Sequence, residues 1–162
     1  MLARFGTAFA AVMVVLLGAV APAAAAPASS SAPAHVAPAI VPAESPVELG
    51  GDVVLDEAGM LDASGVSAIE DAVATLQEDG LDLWVVYVDE FSSPADAESW
   101  ANQTAEQNGL GPSQYLLAVA TEGRTFYLSG DNAGPVSGDQ LTSIEEDAVL
   151  PELRDGDWAG AG

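Results

Sequence analysis

The residues of this chain that could do chemistry are almost all carboxylates. Its 162 residues include 25 Asp and Glu, no cysteine, no lysine and one histidine, His35. A thiol nucleophile, a lysine Schiff base and a phosphate-cradling P-loop are therefore excluded. A Cys/His zinc site is excluded as well. Ser–His–Asp catalysis would need His35 to reach the folded part from a Pro/Ala/Ser-rich stretch. What remains is carboxylate chemistry, with or without a hard cation. Asp131 and Asn132 put side-chain oxygens into a glycine-rich loop, Gly130 to Gly134. Antiparallel pairing of the two preceding strands would set this loop beside Gly109 to Gln114. Gly109, Gly111, Gly130 and Gly134 let the backbones turn and approach, with Gln114 at the rim. Calcium takes six to eight oxygens on a flexible frame, so this loop cleft is a candidate cation site. The plainer alternative is that Asp131 and Asn132 make a polar turn.

The elements that must position these loops can be read from hydrophobic spacing. Val53 to Leu55 is a short extended segment, expected at a sheet edge. Asp62 caps a helix whose apolar positions are Val66, Ile69, Val73 and Leu76, and Gly80 ends it. Leu83 to Val88 and Tyr115 to Ala120 are apolar on both faces, as in central, doubly covered strands. Between them a helix is expected to open at Ser93 as cap with Pro94 in its first turn, and to bury Ala97, Trp100, Ala101 and Thr104. The two strands then form a parallel, right-handed βαβ unit. A tight turn over 121–124 returns Thr125 to Ser129 antiparallel. Ser137 and Gln140 have capping-box spacing for a third helix, with Leu141, Ile144 and Ala148 inward. Pro151 kinks or restarts it, and Leu153 and Trp158 pack back onto the sheet. The expectation is an α/β protein, a three-layer α/β/α sandwich with a mixed sheet of about four strands, the central ones parallel.

Upstream of this domain, residues 1–25 read as a signal peptide. Arg4 gives a positive start, Ala8 to Ala21 is apolar, and Ala23 to Ala25 offers a small-residue cleavage site. Residues 26–50, rich in Pro, Ala and Ser, are expected to be a disordered linker. Residues 51–162 are the folded domain. Without cysteine, an exported domain must be stable on its core alone. All acidic residues fall at or after Glu44, and beyond the signal only Arg124 and Arg154 oppose them. Such a surface repels nucleic acid and anionic lipid headgroups. It suits a solvated acidic coat, divalent cations or a basic partner protein.

Five ordered stretches, residues 53–61, 83–88, 100–111, 115–120 and 150–160, resemble the TPM domain, a family with thylakoid-lumen, photosystem-II-associated and nematode receptor-modulating members. The resemblance implies the sandwich fold and an exported protein serving a membrane-associated assembly, either secreted or membrane-anchored through a longer native chain. It also implies that the domain here is truncated at its C-terminal side. Similar domains bind calcium, and plant relatives carry an acid phosphatase activity. The family's Asp-x-Ala-Gly is matched by Asp56, Glu57, Ala58 and Gly59, which makes Asp56 a second candidate ligand. Where the family writes Asp-Asn-Gly before its second long strand, this chain has Pro112, Ser113 and Gln114. Where it writes Gly-Tyr-Gly after the third, this chain has Gly130, Asp131 and Asn132.

Two functions follow. The first is an exported, non-catalytic interaction domain, with or without bound calcium. The second is a metal-assisted phosphatase in which Asp56 and Asp131 hold the cation. No Lys or Arg is expected in the loops to complete a phosphate pocket, since Arg124 falls at the opposite end of its strand. Asp155 and Asp157 are expected in turn or cap roles, and Glu145 to Asp147 on a solvated helix face.

Overall fold

The computed structural model describes residues 44–162. The expected signal segment and most of the expected linker lie outside them. The chain alternates strand and helix through β1 (Val54–Asp56), α1 (Ala63–Glu78), β2 (Asp82–Val88), α2 (Ala97–Gln107), β3 (Gln114–Ala120) and β4 (Thr125–Ser129). It closes with α3 (Gly138–Ile144), a π-helical turn (Glu145–Val149), α4 (Leu150–Asp155) and α5 (Trp158–Ala161). The sheet order is β1-β2-β3-β4. β1 pairs parallel with β2, and β2 parallel with β3, while β4 returns antiparallel to β3.

The two apolar strands form the centre because both of their faces are covered. On one face Val85, Tyr87, Leu117 and Val119 pack with Ile69 and Val73 of α1, Leu141, Val149 and Ala161. On the other, Val86, Val88, Leu116 and Ala118 pack with Trp100 and Ala101 of α2. This is the three-layer sandwich. β1, β2 and β3 step across the sheet in one direction, yet α1 and α2 lie on opposite faces. The two βαβ crossovers must therefore have opposite hands, so the right-handed rule holds for only one of them.

Three local expectations are revised. The fold begins before residue 51, because residues 44–50 pack beside α2. Glu44 bridges to Phe91, Leu49 is buried, and the Val47 carbonyl accepts from Gln107 and Asn108. The cap of α2 is Asp96 rather than Ser93. Asp96 accepts from the Ser99 backbone N–H at 2.9 Å, whereas Ser93 sits at φ 49°, outside the extended conformation of a cap. Finally, Ile144 and Ala148 face outward, and Val149 takes the inward place. The π-helical turn after α3 adds one residue to the helical repeat and shifts the buried position by one. It falls just before Pro151, whose ring cannot fit against the carbonyl four residues back in an ordinary α-turn.

Candidate functional site

The amino edge of the parallel strands carries the loop cleft expected from sequence. The loops 109–114 and 130–134 are neighbours. A Cβ on Gly134 would lie 2.0 Å from the Pro112 carbonyl oxygen and 2.9 Å from that of Asp131, so only glycine lets the backbones approach this closely. A Cβ on Gly130 would lie 2.5 Å from the Tyr115 ring. The Tyr115 hydroxyl accepts from Val136 N–H at 3.1 Å, tying the second loop to β3. The polar side chains serve the turns themselves. Asp131 Oδ1 accepts from Ala133 N–H at 2.8 Å, and Gln114 Oε1 from Gly111 N–H at 2.7 Å. Asn132 Oδ1 lies where a Cβ on Gly138 would meet it, beside the start of α3. Gly109, at φ 68°, ends α2. At Gly130 and Gly134 the second loop is in direct contact with Tyr115 and Pro112.

Asp56 lies at the other edge. It closes β1, level with Tyr87, which is level with Val119 on β3. Asp131 lies two residues beyond Ser129, which is level with Leu116. Three residues along the strands and three strand spacings across them separate the Asp56 and Ser129 backbones by about 17 Å, and the 130–134 loop lies beyond Ser129, against Pro112. One cation holds its oxygens at about 2.3–2.6 Å, so Asp56 cannot share one with Asp131 and Asn132. Both Asp56 oxygens also have partners: Oδ1 accepts from Met60 N–H at 3.1 Å and Oδ2 from Leu61 N–H at 2.8 Å. These bonds fold the 57–61 turn onto the sheet and aim the chain into α1. There Asp62 accepts from Gly65 N–H as N-cap, and bonds from Ser64 and Gly65 hold its carboxyl below the usual range. Among the described residues, no group of three or more Asp, Glu, His or Cys is arranged to hold a metal ion.

The carboxyl edge carries two features that the sequence did not reveal. The first is Glu44, whose Oε2 is buried with no hydrogen-bond partner among the described residues. Burial, then the neighbouring Glu57 carboxyl, which can accept a hydrogen bond only from a protonated Glu44, then the charges of Glu57 and Asp89, push its pKa up to about 7. Two ionised carboxylates have no donor between them, and a proton on Glu44 supplies one. Nothing in the local sequence marks Glu44, because the partners that bury it lie far along the chain.

The second is a cavity of about 470 Å³ between the carboxyl end of β3, the β3–β4 turn, α4 and Trp158. Phe126, Leu150, Leu153 and Trp158 provide apolar walls, and Arg124, Arg154 and Asp155 also line it. The hairpin turn is anchored by Glu122 and Gly123 N–H groups that donate to the Asp89 carbonyl. On the far side, the fully buried Tyr87 donates to the Trp158 carbonyl at 2.5 Å and fixes α5. Burial, then the charges of Asp56 and Asp157, hold this phenol protonated far above its ordinary value. Gly156 ends α4 at φ 77°, and Asp157 caps α5 through Gly160 N–H, the turn and cap roles expected of this segment.

The family profile described as "TPM domain" matches residues 54–162. The UPF0603 proteins MT2410 and Rv2345, from two strains of Mycobacterium tuberculosis, are each 40% identical over 121 residues. That alignment covers 74% of this chain and 18% of each relative, so the chain spans under a fifth of their length. The solution structure of the N-terminal domain of cg2496 from Corynebacterium glutamicum superposes with a TM-score of 0.61 at 29% identity, covering 75% of this chain and 78% of that domain. An N-terminal domain from P. gingivalis superposes at 0.59 and 21% identity, covering 68% and 74%, and shares the fold.

Proposed function

The chain belongs to the TPM domain family, and on that premise we propose that it is an exported, non-catalytic interaction domain serving a membrane-associated assembly. The observation that carries this reading is the employment of its carboxylates. Asp56 holds two backbone N–H groups, Asp131 holds one, and they sit at opposite edges of the sheet. Each works as a fold element, where the phosphatase expected from sequence would hold its cation between the two. The export signal and the acidic coat support an extracytoplasmic setting and a partner that is basic where it touches this surface. Calcium enters this proposal as a counterion drawn to the acidic surface rather than as a caged ligand.

The test is turnover. Purified protein is offered phosphomonoesters with calcium, magnesium or manganese. The expected result is no hydrolysis above the level of an Asp56→Asn, Asp131→Asn double variant. A specific turnover abolished by one of these changes overturns the proposal.

A further inference from the structure

Beyond the signal segment this sequence has two cations, Arg124 and Arg154, and both line the same cavity at the carboxyl edge of the sheet. They arrive there from separate elements. Arg124 closes the β3–β4 turn at φ 51°, a conformation that an arginine adopts at some cost. Arg154 stands in the last turn of α4, where a cation complements the helix dipole. Both are exposed, and neither has an ion-pair partner among the described residues. In a domain this acidic, the lack of internal pairing leaves both guanidinium groups available to a ligand.

The cavity has a further chemical character. Its walls include Val119, Phe126, Leu150, Leu153 and Trp158, and its volume of about 470 Å³ suits a small organic molecule. It opens at the carboxyl end of a parallel strand, where ligands of open α/β sheets bind. Asp155 also lines it, so two guanidinium groups and one carboxylate leave a single net positive charge. That balance suits a monoanion better than a dianion.

We propose that this cavity binds a small carboxylate with an aromatic or branched aliphatic body. The carboxylate pairs with Arg124 and Arg154, whose planar donor forks match its geometry. The apolar body lies against Phe126, Leu153 and Trp158. The site goes beyond the interaction role and does not depend on it.

The experiment is an NMR titration of the whole purified protein with 3-phenylpropanoate, its neutral amide, acetate and phenyl phosphate. The expected result is a saturable shift of the Trp158 indole and of residues 124–126 and 150–154 with 3-phenylpropanoate. The amide and acetate should bind at least about tenfold more weakly, having lost the charge or the apolar body. Arg124→Asn, chosen because Asn tolerates positive φ, and Arg154→Gln should each weaken binding about tenfold while leaving the spectrum folded. Equal binding of the amide, or unchanged binding by both variants, overturns the site. Phenyl phosphate binding as tightly as 3-phenylpropanoate overturns the assignment of a carboxylate.

Discussion

Replacing Asp56 with alanine should expose what this carboxylate does. Its two oxygens hold the N–H groups of Met60 and Leu61, at 3.1 and 2.8 Å. Hydrogen bonds to a charged acceptor contribute about 1.5–3 kcal/mol each. Both peptide groups are half-buried, so water recovers part of the loss in the variant. A net destabilisation of about 2–3 kcal/mol is expected. For a domain of this size, about 4 °C of melting temperature accompanies each kcal/mol, which predicts a fall of about 10 °C. Asp56→Asn keeps one oxygen acceptor but loses the charge, and should cost about 1 kcal/mol. The assay is urea unfolding followed by circular dichroism, with and without calcium at matched ionic strength. The fold role predicts the same loss in both conditions. A metal ligand predicts a near-native Asp56→Ala protein without calcium and loss of any calcium stabilisation. That second pattern would refute the reasoning.

Three more outcomes follow. Gly134→Ala drives a Cβ into the Pro112 carbonyl, a backbone atom that cannot rotate away, and should cost about 2–3 kcal/mol by thermal melting. Tyr87→Phe leaves the Trp158 carbonyl without its donor and should cost about 1–2 kcal/mol, with faster hydrogen exchange confined first to residues 158–162. Glu44 carries a folded pKa of about 7 against an ordinary 4.5, so between those values the folded state holds more protons than the unfolded one. Its contribution is complete below about pH 4.5 and is lost as pH rises through 7. Glu44→Gln should therefore flatten the fall in unfolding free energy measured between pH 4.5 and 7.

The scaffold was legible because its centre obeys simple rules. Six-residue apolar runs covered on both faces leave little choice but a buried parallel pair, and the Gly109 and Gly130 loops then follow at one edge. That Asp56 and Asp131 cannot act together was not legible from residue types, because it depends on strand direction. β1 runs with β2 and β3 while β4 runs against them, so the chain leaves β1 and β4 at opposite edges. The π-helical turn was hidden in a continuous helical pattern, and only the shift of the inward position from Ala148 to Val149 reveals it. Arg124 and Arg154, 30 residues apart on a turn and a short helix, come to line one cavity only once the chain has folded. Their rarity in so acidic a chain was visible, but their shared cavity was not.

The central claim is that the carboxylates which could do chemistry are already employed by the fold. Calorimetric titration of the purified protein with calcium tests it most directly. The prediction is weak, non-saturating heat that magnesium reproduces at the same ionic strength and that Asp56→Asn or Asp131→Asn leaves unchanged. A saturable one-to-one calcium site, removed by either substitution, would contradict it.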